Sequence, residues 1–170
     1  MRKLDFEFDN IPQAYFITFR GYGTWLHGDK RGSIDRDHNR FGTPRLVPSE
    51  RRRQLNIGRL KNKPVRLVPK ARAAVEAAVR EICRERKWGL WVVNARTNHV
   101  HVVVTAHIKP EPVLAALKAR ATKKLREIGF CRTPESPWAQ RGSKRYLWNE
   151  QDVIDAVVYV QYEQGGVVTT

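Results

Sequence analysis

Two histidines, His99 and His101, stand one residue apart in the stretch TNHVHVVVT, which is otherwise typical of a buried strand. Side chains alternate across a strand, so both imidazoles point to one face while Val100, Val102 and Val104 point to the other. The two Cα atoms are about 6.6 Å apart by strand rise, which lets both rings reach one cation. The pattern therefore predicts a metal site. The alternative is a pair of ordinary strand histidines that face water or a hydrogen-bond partner.

The last predicted helix offers a third ligand and a nucleophile. Its apolar stripe consists of Val153, Ile154, Val157, Val158 and Val160. On a helical wheel Tyr159 lies nearly opposite the middle of this stripe, and Glu163 follows one turn later on the same face. Glu163 is the preferred ligand because Gln164 falls on the apolar side. Tyr162 competes with Tyr159 as the reactive phenol.

These residue types together favour phosphoryl chemistry. A divalent ion held by two imidazoles and a carboxylate keeps open positions for phosphate oxygens, and Mg²⁺ or Mn²⁺ suits this task, Mn²⁺ tolerating nitrogen ligands better. A phenol beside the ion could attack phosphorus in line and form a covalent tyrosyl phosphate. Because that bond conserves the energy of the broken one, a later hydroxyl could rejoin the strand without a nucleotide cofactor.

The charge of the chain indicates a polyanionic partner. Lys and Arg number 32 against 17 Asp and Glu among 170 residues, a formal charge of +15, and two basic regions, 45–72 and 118–145, flank the histidine pair. No stretch approaches the roughly 20 apolar residues of a membrane span, and the first residues do not resemble a signal peptide. We therefore expect a nucleic acid as partner, no membrane and a cytoplasmic location. Cys83 and Cys131, outside any CxxC motif, fit a reduced protein without disulfides.

The elements that must position these residues follow from periodicity and caps. The sequence predicts a strand over 14–26, a helix from Pro69 to about Lys87, and paired strands over 88–97 and 99–108. It then predicts a helix over 111–128 ended by Gly129, a short strand over 144–148, and a last helix that is capped by Asn149 and runs to about Gly165. Residues 27–44 are predicted to form a long loop. This order predicts an α+β fold in a single domain of residues 1–170. The fold is a ferredoxin-like (RRM-like) antiparallel sheet with helices on one face and the other face free for a ligand.

Two of these stretches resemble the HUH single-tyrosine transposases, in particular the REP-associated tyrosine transposases and the small insertion-sequence transposases related to them. NHVHVVV resembles the His-hydrophobic-His signature, and AVVYVQYEQGG resembles the C-terminal helix that bears the nucleophilic tyrosine. The likeness extends from YFITFRGYGTWLHG through RYLW. It implies that His99 and His101 bind a metal ion and that Tyr159 becomes linked to the 5′ phosphate of cleaved single-stranded DNA. Glu163 stands where the family commonly has Gln or Asn.

The resemblance also implies single-stranded or hairpin DNA as the partner, and a possible homodimer with the tyrosine in cis or in trans. Phosphate contacts are expected from basic residues of the second long helix and of the last strand, namely Arg120, Lys123, Lys124, Lys144 and Arg145. The five tryptophans could stack on unpaired bases, but core packing is the more common role and none is assigned.

Two other functions fit parts of the pattern. A non-catalytic, basic RRM-like nucleic-acid-binding protein would keep the fold and lose the chemistry. A two-histidine phosphoesterase is disfavoured because it needs a third alternating histidine or a second His-x-Ser/Thr motif. Residue 103 is Val, and neither His27 nor His107 is followed by such a pattern.

Overall fold

The computed structural model of the protein describes residues 11–26 and 47–163, with Glu163 described by its backbone alone. The elements are β1 (Ala14–Gly21), α1 (Glu50–Gly58), α2 (Pro69–Arg86), β2 (Gly89–Ala95), β3 (His99–Thr105), α3 (Pro110–Glu127), β4 (Trp138–Leu147) and α4 (Glu150–Val158), which continues as a π-helical turn, Tyr159–Glu163. The predicted loop over 27–44 lies outside the described residues.

The four strands form one antiparallel sheet in the order β2-β3-β1-β4. This strand order, with two long helices in the crossovers, confirms the predicted ferredoxin-like α+β fold. The two central strands are β3 and β1, so the histidine pair on β3 has a hydrogen-bonded neighbour strand on either side.

The larger core lies between the sheet and the helices α2 and α3. Val100, Val102 and Val104 of β3 are fully buried in it, as the alternation predicts. Each fully buried valine contributes on the order of 1.5 to 3 kcal/mol relative to an exposed one. Because these three side chains occupy the helix-covered face, the alternating histidines must lie on the opposite face.

That opposite face is not left open, since α4 packs against part of it. The second core cluster consists of Ala14, Val103, Leu147, Val153, Ala156 and Val160. The predicted apolar stripe is therefore wrong at two positions, because Ile154 is 47% exposed and Val158 is 40% exposed. The packed side of α4 is centred on Ala156 and Val160, which places Tyr159 beside the packed side and not opposite it.

Three elements differ from the predicted ones. The strand β1 ends at Gly21, whereas the predicted strand extended to residue 26. The helix α1 was not predicted; no residue in it is buried, and Ser49 caps its N-terminus by accepting from the backbone N–H of Arg52. A helix without a buried face has no apolar periodicity to detect. The strand β4 is twice as long as predicted because it is an edge strand whose outer side chains are mostly polar and exposed.

The predicted bounds of α2 and α3 are confirmed to within one residue. The last helix, predicted to run unbroken to about Gly165, becomes π-helical after Val158, and Gly165 lies outside the described residues. The predicted caps of α3 and α4 are confirmed. Gly129 has a positive φ of 72° directly after α3, where only glycine avoids strain. Asn149 caps α4 by accepting a 2.9 Å hydrogen bond from the backbone N–H of Asp152. Cys83 and Cys131 are both free. In the part of the chain that is described, no helix has the length and apolar character needed to cross a membrane.

Candidate active site

The imidazoles of His99 and His101 lie side by side on the face of the sheet that carries α4. Their ring centroids are 4.5 Å apart. His101 is buried, with only 8% of its surface exposed, while His99 is partly exposed. The predicted juxtaposition of the two rings on one face is thus present in the structure, with one ring deep and one ring at the rim.

Both rings are held through their Nδ1 atoms. The Nδ1–H of His99 donates to Oδ1 of Asn98 at 2.7 Å. A 2.6 Å hydrogen bond joins Nδ1 of His101 to Oγ1 of Thr18, the residue directly opposite it on β1. Metal coordination would therefore fall to the Nε2 atoms. A ligand histidine anchored through its other nitrogen is the usual arrangement in metal sites, because the anchor fixes ring orientation and tautomer.

The buried ring stays neutral over a wide pH range. The pKa of His101 is lowered to about 3, chiefly by burial and to a lesser extent by the neighbouring charges of His99, Arg20 and Arg96. A neutral imidazole is the form that binds metal ions. Two anchored imidazoles, one of them strongly resistant to protonation, fit a divalent cation of the Mn²⁺ kind.

We expect the metal-free protein to lose stability in acid through His101. The unfolded side chain takes up a proton below pH 6.5, whereas the folded one resists protonation down to about pH 3. The contribution of neutral His101 to the free energy of unfolding is therefore fully present above pH 6.5 and is lost as pH falls towards 3. This pKa difference corresponds to roughly 5 kcal/mol. Urea unfolding in EDTA between pH 7.5 and 4 should show the loss in the wild type and a clearly smaller one in His101→Gln. Equal pH dependence in both proteins would contradict the assignment.

The phenol ring of Tyr159 reaches the histidine pair from the start of the π-helical turn. Its centroid is 6.0 Å from that of His101 and 5.9 Å from that of Phe16, which in turn is 5.3 Å from His101. Tyr159 is 40% exposed, so the residue is not enclosed in the core. Tyr162, the competing candidate, is 75% exposed and lines a cleft at the edge of β2. Within the described ranges, Tyr159 is the one of the two phenols in ring contact with a histidine.

The turn that carries Tyr159 is fixed to the sheet by a neighbour of His101. Asn94 on β2 pairs with His101 across the strands, and its side-chain amide donates to the carbonyl oxygen of Val160 at 3.0 Å. Val160 itself is fully buried. These two contacts hold the phenol at the histidine pair, since they fix the residue directly after it.

The third metal ligand stays a prediction. Glu163 ends the π-helical turn, one turn beyond Tyr159, and is described by its backbone alone; Gln164 lies outside the described residues. Among the side chains that the structure does describe, no group of three His, Cys, Asp or Glu residues could hold a metal ion. The described part of the site therefore supplies two nitrogen donors.

Four of the five predicted phosphate-contacting residues lie away from the histidine pair. Arg120, Lys123 and Lys124 are on α3, across the sheet. Arg120 pairs with Glu81 and Glu85, and Lys124 pairs with Glu81.

Lys144 on β4 forms a 3.0 Å ion pair with Glu111 at the start of α3, which places it on the helix-covered face as well. Arg145 is the exception. It is exposed and lies opposite Phe16 in the β1–β4 register, and so on the face of the histidines.

Two arginines near the site were not predicted from the sequence. Arg20 pairs with His99 across the β1–β3 ladder, and its guanidinium stacks 3.9 Å above the Trp25 ring. Arg96 lies in the β2–β3 hairpin and donates its backbone N–H to the carbonyl oxygen of His99. The alternation of β1 contained the signal for Arg20, because Phe16, Thr18 and Arg20 share one face, but which strand lies beside β3 cannot be read from that alternation.

Comparisons with known proteins give the fold of the chain. No family model matches the sequence, and no curated protein does. A solved protein of Deinococcus radiodurans R1, provisionally described as a transposase, is 11% identical, with 98% of this chain and 100% of that one aligned at a TM-score of 0.51. A REP-associated tyrosine transposase bound to a REP hairpin is 12% identical, with 94% and 70% aligned at a TM-score of 0.46. At 11% identity the likeness to the Deinococcus protein is one of fold.

Proposed function

We propose that the protein is a metal-dependent transposase of the HUH single-tyrosine type, which cuts and rejoins single-stranded DNA at hairpins through a 5′-phosphotyrosine intermediate. The observation that carries the proposal is the contact of the Tyr159 ring with the buried member of an anchored histidine pair, His101. A phenol, two paired imidazoles and an accessible surface on one side of a sheet are the parts that this chemistry needs.

The chain would supply the nucleophile and would orient the phosphoryl group. A divalent ion bound by His99, His101 and Glu163 would polarise the phosphoryl group. The Tyr159 oxygen forms a bond to phosphorus while the bond from phosphorus to the 3′ oxygen breaks; the phenol loses its proton, and the released 3′ oxygen gains one. The 5′ phosphate stays on Tyr159, so the reverse attack by a 3′ hydroxyl reseals the strand.

The choice of DNA as substrate rests on charge and on the sequence resemblance. The formal charge is +15, and Arg20, Arg96 and Arg145 surround the histidine face. Cations at these positions would attract a phosphate backbone without choosing its sequence. The preference for hairpins, and a homodimer, come from the resemblance of the motifs and belong to the proposal.

An adduct assay tests the proposal. Single-stranded hairpins taken from DNA that flanks the gene are labelled at either end and incubated with the protein and Mn²⁺ or Mg²⁺. We expect the 3′ label to migrate with the protein in denaturing gels and the 5′ label to appear on a shorter strand with a free 3′ hydroxyl. EDTA should abolish both products. Tight binding without an adduct for any flanking hairpin would favour the non-catalytic RRM-like protein.

A further inference from the structure

We propose that a cleft along the outer edge of β2 binds one unpaired nucleobase, next to the phosphate that Tyr159 attacks. The inference rests on the proposed function for its class of substrate. It assigns to the cleft a role in holding single-stranded DNA that is independent of the chemical step. The cleft has a volume of about 630 Å³, and its lining includes Arg80, Trp91, Asn94, Val160 and Tyr162.

Trp91 is an exposed aromatic ring held in one orientation. The pairing of β2 with β3 shifts register between Leu90 and Val92, so Trp91 bulges out of the ladder and is 58% exposed. Its indole N–H donates to Oγ1 of Thr105 at 2.9 Å, and that hydroxyl donates to the carbonyl oxygen of Gln13. Exposed apolar side chains that lie together, as Trp91 and Tyr162 do around the cleft, are typical of a binding surface. A bulge is a common device for redirecting a side chain beside a site.

The other groups around the cleft complete a surface for a base. Tyr162 contributes a second exposed aromatic ring, and the guanidinium of Arg80 is 52% exposed with a single long ion pair to Glu76 at 3.4 Å. Bases of any sequence stack on aromatic side chains, and a cation nearby binds the backbone. None of the described residues that line the cleft is acidic, which favours a polyanionic strand over a basic peptide.

The position of the cleft places the base beside the reacting phosphate. Asn94 lines the cleft and lies directly opposite His101 in the sheet, so their Cβ atoms are about 5 Å apart. The same asparagine holds Val160, the residue after Tyr159, and Tyr162 lies on the same turn. A strand whose phosphate sits at the histidine pair can therefore place its neighbouring base between Trp91 and Tyr162.

Binding measured without chemistry tests this inference. Fluorescence anisotropy of labelled oligothymidylate is followed in EDTA, so that cleavage cannot contribute. We expect Trp91→Ala to weaken binding by roughly 10- to 100-fold, the usual loss of one stacked base, and Trp91→Phe to keep most of the affinity. The matched control is Trp148→Ala. Trp148 is 46% exposed but stacks on Tyr146, outside the cleft, and its loss should change the affinity less than about twofold.

Salt dependence separates stacking from charge. Trp91→Ala should leave the slope of log affinity against log salt unchanged, whereas Arg80→Gln should reduce the slope by about one. Wild-type affinity in both Trp91→Ala and Tyr162→Ala would overturn the inference, whatever the adduct assay gives. Loss of affinity in these variants, together with no adduct, would instead support the nucleobase-binding cleft and contradict the proposed cleavage reaction.

Discussion

Tyr159→Phe is expected to abolish the covalent adduct, reducing its yield by roughly 1000-fold or more, as removal of a nucleophile does in enzymes with covalent intermediates. The substitution removes one oxygen atom from a ring that is 40% exposed and keeps the ring contacts with Phe16 and His101. Its hydroxyl makes no hydrogen bond to any residue in the described ranges. We therefore expect the free energy of unfolding to change by less than about 0.5 kcal/mol and hairpin affinity to stay at the wild-type level.

Tyr162→Phe is the matched control, since it makes the same chemical change three residues along the same turn. It should keep the adduct, because stacking needs the ring and not the hydroxyl. Peptide mapping of the wild-type adduct gives an independent assignment. An adduct that survives in Tyr159→Phe and disappears in Tyr162→Phe would move the nucleophile to the second tyrosine. Survival in both variants would reject a tyrosyl phosphate altogether.

The fold could be predicted because its core elements have strong periodic signals. The helices α2 and α3 each bury one continuous stripe, and β3 alternates strictly between valines of the core and the two histidines. The helix α1 and most of β4 escaped prediction because neither has such a stripe. α1 buries nothing, and β4 is an edge strand with polar residues on its exposed side.

Only those features of the site that lie within a single strand or helix could be predicted from the sequence. The histidine pair follows from the period of one strand, and Tyr159 from the resemblance of one helix. The helical wheel misplaced Tyr159, because α4 carries more apolar residues than it buries and the wheel alone does not show which of them face the sheet. Exposed Ile154 and Val158 shifted the apparent stripe by about a quarter turn.

The pairing of β2 with β3 could be predicted because the two strands are adjacent in the chain, but contacts between elements distant in the chain carried no sequence signal. Thr18 anchors His101 only because β1 lies beside β3, and Asn94 reaches Val160 only because β2 lies on the other side. The predicted phosphate contacts on α3 show the same problem, since the sequence did not reveal which residues lie beside these basic side chains. Arg120 and Lys124 belong to a charged cluster, but the partners they contact are glutamates of α2.

Loss of either paired histidine is expected to weaken Mn²⁺ binding by at least about 100-fold, because even residues that only anchor a ligand are worth 10- to 100-fold in metal affinity. Both rings are anchored through Nδ1, so each substitution removes a donor that is already oriented. His99→Gln is the safer variant, since His99 lies at the rim, whereas His101 is buried against Phe16. Without the ion, the adduct should also disappear although Tyr159 is intact.

The measurement of Mn²⁺ affinity is independent of DNA. The electron paramagnetic resonance signal of free Mn²⁺ is titrated with wild type, His99→Gln, His101→Gln and His107→Gln. His107 is an exposed histidine beyond the end of β3, so its substitution controls for the loss of any imidazole. Wild-type and His107→Gln proteins should bind alike. Equal Mn²⁺ binding in all four proteins would mean that the histidine pair is structural. In that case no metal ion at the pair would polarise the phosphoryl group for attack by Tyr159.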